Sequence, residues 1–179
     1  MRLSSHELDA KAVRLRMLLF DVDGVLTDGS VEIHDTGSES KSFSIRDGAA
    51  LVWARREGLK IGLVSGRASA ATTRRATELG ISIVVQGVTD KGKAYAEILE
   101  AHGLADADVA YMGDDLLDLA VLGRVGLAAA PADAVDDVRE RVHWVSKYPG
   151  GRGAVRELVE LVLKARGRWT PLLQSMGGS

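Results

Sequence analysis

Short apolar runs separated by stretches of helical period dominate this chain, and most of them stop abruptly at a polar residue. Leu15 to Phe20 (LRMLLF), Lys60 to Val64 (KIGLV), Ile81 to Val85, Val109 to Met112 and Val125 to Ala129 read as strands. Between them, Asp47 to Glu57, Ala68 to Leu79, Lys91 to His102 and Leu116 to Leu122 read as helices, and Gly153 to Arg166 as a last one. Asp47 suits an N-cap, and Gly58, Gly80 and Gly103 stand where helices stop. Strands that are apolar throughout are buried on both faces, the signature of a parallel sheet. Strand–helix alternation at this spacing requires right-handed crossovers. The expected fold is therefore α/β: a Rossmann-like parallel sheet with helices on both faces.

One segment breaks the rhythm. Val31 to His34 and Lys41 to Ser44 alternate in polarity around Asp35-Thr36-Gly37-Ser38, the pattern of a β-hairpin. The hairpin, spanning about residues 29–45, is an insertion after the first strand. Neither the stretch from Asp21 to Ser65 nor that from Ser65 to Lys91 leaves room for a large cap domain. A length of 179 residues fits one domain, 1–179, with a tail of about 167–179 expected to be loosely ordered on its own.

Composition excludes several function classes. Lys plus Arg is 23 against 25 for Asp plus Glu, and aromatics are 4%, so a basic or base-stacking nucleic-acid surface is not expected. No apolar run approaches the ~18 residues of a membrane span, and the N-terminus lacks a secretory pattern. With no cysteine there are no disulfides or thiolate sites, which fits a reducing cytoplasm. His6, His34, His102 and His143 have no ligand spacing. Gly151-Arg152-Gly153-Ala154 faintly echoes a dinucleotide loop but lacks the third glycine. Trp53 and Trp144 read as core.

The chemistry gathers at the carboxyl ends of the expected strands, where open parallel sheets hold their ligands. Asp21 and Asp23 follow the first strand: one carboxylate suits a nucleophile or metal ligand, the other an acid and base. Ser65, Gly66 and Arg67 follow the second, where a hydroxyl and free backbone N–H groups at a helix start suit a phosphate oxygen. Lys91 opens a helix after the third strand. Asp114, Asp115 and Asp118 follow the fourth, and such a cluster repels itself without a cation; its oxygen-only donors suit Mg²⁺. Each group also has an ordinary reading as turn, helix cap or solvated side chain.

In this order and spacing, the DVDGVLT, SGR, Lys91 and GDDLLD stretches resemble the four motifs of the haloacid dehalogenase superfamily, from about Leu15 to about Arg166. The hairpin ending in IRDG, the QG followed by DKG, and GGRGAVREL resemble more narrowly the family of 3-deoxy-D-manno-octulosonate 8-phosphate phosphatases. That resemblance implies a cytoplasmic, Mg²⁺-dependent phosphomonoesterase of lipopolysaccharide sugar synthesis working through an aspartyl phosphate. It implies Asp21 as nucleophile, Asp23 as acid and base, and Lys91 as charge neutraliser. Metal is implied at Asp21, at Asp114 and at the backbone carbonyl of Asp23, with Asp115 and Asp118 orienting their neighbours. Ser65 and Gly66 would hold phosphoryl oxygens. Ser44, Ile45, Arg46, Asp47 and Gly48, together with Arg67 and Arg75, would bind the sugar acid.

One departure and one agreement bear on the substrate. The family leads one to expect a further Arg just after RDG, where this chain has Val52. Arg67 favours the eight-carbon acid over the nine-carbon keto-sugar acids, whose phosphatases tend to be acidic there. Open alternatives are a phosphatase for a nine-carbon keto-sugar acid phosphate and a non-catalytic oligomerisation domain of the same fold. A two-stranded hairpin is marginal alone, so a homotetramer is expected, four hairpins closing into a small barrel and neighbours completing each active site.

Overall fold

The computed structural model describes residues 2–178. The strands are β1 (Met17–Phe20), the hairpin pair β2 (Glu32–Ile33) and β3 (Glu39–Ser40), β4 (Lys60–Ser65), β5 (Ile83–Gln86), β6 (Val109–Met112), β7 (Leu127–Ala130) and β8 (Trp144–Val145). The helices are α1 (Ser5–Ala12), α2 (Ile45–Arg56), α3 (Ala70–Leu79), α4 (Lys91–His102), α5 (Leu119–Leu122), α6 (Asp136–Arg139), α7 (Ala154–Ala165) and α8 (Trp169–Ser175). Six strands form one sheet in the order β5-β4-β1-β6-β7-β8, every pair parallel.

The expected α/β architecture is what forms. Side chains alternate across each buried strand. Leu18 and Phe20 of β1 enter a core with α1, α2, α3, α7 and α8, while Met17 and Leu19 enter the opposite core with α4, α5 and α6. The strongest amphipathic helix is α7, whose Val155, Leu158, Val159, Val162 and Leu163 are buried against the first core. Fully burying each such side chain contributes roughly 1.5–3 kcal/mol. β1 is central and buried at every position, so the loop after it starts from the most rigid part of the sheet.

The insertion between β1 and α2 is a hairpin pairing Glu32 with Ser40 and Ile33 with Glu39, shorter than the sequence pattern. Gly37 turns it with φ +80°, its N–H donating to the His34 carbonyl at 2.8 Å. Several details differ from expectation. Helix α2 begins earlier, capped by Ser44 rather than by Asp47. Helix α3 is capped by Ser69, so Ser65 closes a strand instead of opening a helix. The tail carries α8: Trp169 stacks edge-on against Trp53 at 6.1 Å, and Leu172 joins the core. Of that tail, Ser179 lies outside the described residues. Helix α1 went unread, although Ser4-x-x-Glu7 is a capping box and forms as one. No helix among the described residues is long and apolar enough to cross a membrane.

Candidate active site

Asp21 follows β1, Ser65 ends β4, Lys91 opens α4 and Asp114 lies two residues beyond β6. Because β4, β1 and β6 are adjacent and parallel, these groups converge at one sheet edge. With Asp23, Gly66, Arg67, Asp115 and Asp118 they line an open cleft of about 280 Å³.

The loop after β1 winds back on itself: the N–H groups of Leu26 and Thr27 both donate to the Val22 carbonyl, at 2.9 and 3.1 Å. Gly24 sits there at φ +87°, and a Cβ would fall 2.0 Å from Asp114 Oδ2. Only glycine lets the two acidic loops approach so closely. The loop is braced from below by the glycine stretch first read as a faint dinucleotide motif. The Gly151 N–H donates to the Val25 carbonyl at 2.9 Å, and a Cβ on Gly150 would meet the Gly24 carbonyl oxygen at 1.8 Å.

Lys91 is buried between two carboxylates, 3.0 Å from Asp21 Oδ1 and 2.7 Å from Asp118 Oδ1. Burial pulls its ammonium toward neutrality, but the charges of Asp21 and Asp118 outweigh this and raise its pKa. Asp118 is fully buried. Its Oδ1 also accepts from the Tyr111 hydroxyl at 2.6 Å, and its Oδ2 accepts the backbone N–H groups of Asp114 and Asp115 at 3.0 and 3.2 Å. Burial, then the charge of Asp118, pushes Asp21 up to about 6 against the pull of Lys91. Burial, then the charges of Asp21 and Asp118, pushes Asp114 up to about 8.

Oxygens of Asp21, Asp114 and Asp118 lie within 4.8 Å of one another. Asp118 is already engaged by four donors, so the available ligands are Asp21 and Asp114. Asp114 Oδ1 is buried with no hydrogen-bond partner, which is costly unless a cation meets it. An all-oxygen set with an orphaned carboxylate oxygen fits a hard divalent cation such as Mg²⁺.

Asp23 is held from above by the hairpin. Lys41 Nζ donates to both its oxygens, at 2.6 and 2.9 Å, and Arg67 Nε lies 3.8 Å away. Arg67 also pairs with Glu39 at 2.9 Å. Ser65 is buried, its hydroxyl accepting from the Arg67 N–H at 3.2 Å, and a Cβ on Gly66 would make ordinary contact with the Val88 carbonyl oxygen at 3.6 Å.

Of the residues expected at the sugar end, Arg67 lines this cleft and the others do not, within one chain. Ser44 caps α2, and Ile45 is 80% exposed. Arg46 lines a separate groove of about 680 Å³ beside α7. Asp47 is buried and caps α7, accepting the N–H groups of Gly153 and Arg156 at 3.1 and 2.8 Å. Arg75 packs over Gly48 and donates to the Ser44 carbonyl at 3.2 Å. Sequence reasoning missed Lys41 and Tyr111. Lys41 stands in the sequence only as the start of an alternating hairpin piece, and Tyr111 only within the strand Val109 to Met112; neither carries a local signal.

Residues 81–158 match the haloacid dehalogenase-like hydrolase family. A 3-deoxy-D-manno-octulosonate 8-phosphate phosphatase from Escherichia coli is 40% identical over 92% of this chain and 87% of its own length. The chain belongs to this phosphatase family. Its fold agrees with solved relatives: the Yersinia pestis phosphatase superposes with a TM-score of 0.90 at 37% identity, over 92% of this chain and 89% of that one. The Moraxella catarrhalis phosphatase, solved with magnesium, phosphate and 3-deoxy-D-manno-octulosonate, gives 0.94 at 34% identity, over 96% and 98%. The stretch shared with the hydrolase family at large, from Ile81 to Leu158, includes Lys91 and the 114–118 acidic turn.

Proposed function

We propose that the chain is a Mg²⁺-dependent phosphomonoesterase that hydrolyses 3-deoxy-D-manno-octulosonate 8-phosphate to the free sugar acid and phosphate, in lipopolysaccharide sugar synthesis. The observation that carries this reading is the cleft itself: Asp21, Lys91 and Asp114 converge, with an orphaned carboxylate oxygen, in a member of this phosphatase family. Asp21, Asp114 and the backbone carbonyl of Asp23 would hold the metal. Once bound, Mg²⁺ supplies positive charge against which an anionic nucleophile can approach an anionic phosphate.

The chain's own residues do the rest. Asp21 attacks phosphorus through its carboxylate, forming an aspartyl phosphate as the ester P–O bond breaks. Asp23 gives its proton to the departing sugar oxygen, then accepts one from the water that attacks the phosphoaspartate. Lys91 compensates charge on the transferring group, while Ser65 Oγ and the Gly66 N–H hold its oxygens. Asp118 fixes Lys91, and Asp115 orients the turn.

The residues 1–179 act as one domain, and Arg67 supports the eight-carbon acid. The working form is a cytoplasmic homotetramer. Ile33 on the hairpin and Ile45 beside it are 76% and 80% exposed, the profile of surfaces that seek partners. Residues 44–48 and Arg75 would then meet the sugar at a neighbour's cleft. A phosphate-release screen over eight- and nine-carbon keto-sugar acid phosphates tests the reading. The octulosonate ester should turn over fastest, and EDTA should stop it. Faster turnover of a nine-carbon ester would move the specificity, and no release from any ester by folded, Mg²⁺-supplied protein would make the domain non-catalytic.

A further inference from the structure

Lys41 is a charged residue with no part in the phosphoryl transfer through Asp21, Asp23, Ser65 and Lys91. Its side chain is fully enclosed, and both of its short contacts go to Asp23, one to each carboxylate oxygen. Burying an ammonium is costly unless it is paired with good geometry, so a lysine in this place fixes its partner. Lys41 does not line the cleft; Asp23 does. It sits just after β3, so the hairpin carries it across the mouth of the loop that follows β1.

We propose that Lys41 is the positioning residue for the acid–base group: it orients the Asp23 carboxyl, one oxygen staying on the ammonium while the other takes up the proton and faces the bond to be broken. This inference rests on the phosphatase reading. Proton delivery by Asp23 demands an oxygen aimed at the ester oxygen within hydrogen-bond reach. Without Lys41 the Asp23 side chain is free to turn, toward Arg67 or into water. The hairpin then has a role in one subunit's chemistry, separate from any part in assembly.

The step it supports is specific. As the Asp21 oxygen bonds to phosphorus, the P–O bond to the sugar breaks; Asp23, which takes up a proton from solvent on the oxygen that turns to the ester while its other oxygen still accepts from Lys41, passes that proton to the departing oxygen. An alkoxide needs that proton; a dinitrophenolate leaves as a stable anion without it. Loss of aim at Asp23 must therefore slow poor leaving groups more than good ones, whereas a general loosening of the fold slows both alike.

The test measures kcat/KM, which reports the phosphoryl-transfer step, for wild type, Lys41→Met and Lys41→Arg. The substrates are a leaving-group series from dinitrophenyl phosphate through phenyl phosphate to the octulosonate phosphate, all with Mg²⁺. Lys41→Met should lose roughly 100-fold on the alkyl ester and less than about threefold on dinitrophenyl phosphate, a general-acid-sized difference. Lys41→Arg should recover part of the alkyl-ester rate. Equal losses across the series, or none, overturn the proposal. If Lys41→Met does not fold, the Lys41→Arg slope decides by the same criterion. If wild type ignores the octulosonate ester, the functional reading fails, and the aryl series still tests Lys41.

Discussion

The Asp118 carboxylate holds the Lys91 ammonium at 2.7 Å while the Tyr111 hydroxyl occupies the same oxygen at 2.6 Å. Asp118 therefore belongs to the frame of the site more than to its ligand set, although it lies among the oxygens grouped for a metal. Replacing it with Asn leaves Lys91 short of one counter-charge and loses one acceptor in a buried network. Asp118→Asn should lose roughly 10²-fold or more in kcat and destabilise by about 3–5 kcal/mol, since one partner of a buried pair is left uncompensated. Urea titration alongside steady-state kinetics checks both. A variant stable as wild type would mean that Lys91 is held by Asp21 alone.

Asp21→Asn should abolish turnover while stability holds or rises. In the metal-free protein, burial, then the charge of Asp118, raises the Asp21 pKa to about 6, so its ionised form, though it predominates at neutral pH, is held at a cost it would not bear in water. An amide removes that cost and the repulsion with Asp114 and Asp118, while Lys91 keeps its shorter 2.7 Å pair with Asp118. Turnover close to wild type would remove Asp21 as nucleophile, and a marked drop in melting temperature would contradict the electrostatic argument.

Metal binding should release protons. With Asp114 pushed up to about 8, the folded metal-free chain keeps a proton that an unfolded aspartate, with pKa ~3.9, has lost. The sign follows: the native state binds more protons across the window from about 4 to about 8, so metal-free stability falls as pH rises through it. Mg²⁺ displaces that proton, and its affinity should fall below pH 8. Calorimetry in buffers of different ionisation enthalpy should find net proton release at neutral pH, and melting curves should lose their pH slope when Mg²⁺ saturates the site. Mg²⁺ should be preferred over Ca²⁺, whose longer and more numerous bonds would draw in both oxygens of the nucleophile. Full activity in EDTA would contradict the metal assignment.

Gly150→Ala should damage activity from beneath the site. The new methyl would sit 1.8 Å from the Gly24 carbonyl oxygen and 2.9 Å from that of Thr27, forcing the loop after β1 to shift. A shift of about 1 Å can cost ~10²-fold in rate. Gly58→Ala is the control: there a Cβ meets nothing within 4 Å, so its cost comes only from the positive φ, far from the cleft. Equal activity losses in the two variants would remove the brace as the explanation.

That brace marks where sequence reasoning stops. The sheet and the convergence of Asp21, Ser65, Lys91 and Asp114 were legible because buried strands are apolar throughout and the polar residues after them have one place to go. The role of Asp47 was not. It looks like the cap of its own helix, but its carboxylate caps α7, more than a hundred residues onward. The Lys41 contact with Asp23 was equally hidden, since no local period encodes which side chain a hairpin lays across a loop. Helix α8 was missed because its anchor is tertiary: Trp169 packs on Trp53 of α2.

Assembly is the remaining test of how the site is completed. Within one chain, Arg46 lines the groove beside α7 while Asp21 and Asp114 line the cleft at the sheet edge. A sugar phosphate held only by the open cleft would be exposed to water on its sugar side, so the sugar contacts must come from elsewhere if residues 44–48 supply them. Ile33 is exposed on a hairpin whose strands are two residues each, too little to be stable unless covered. Ile33→Asp puts a charge on that face without touching Lys41 or Asp23. Light scattering should give a wild-type mass about four times the 19.1 kDa chain and a smaller mass for the variant. KM for the sugar phosphate should rise by roughly tenfold or more, with less change for dinitrophenyl phosphate, which lacks a sugar to lose contacts with. A wild-type monomer of full activity, or a dissociated variant with unchanged KM, would show that each chain completes its own site.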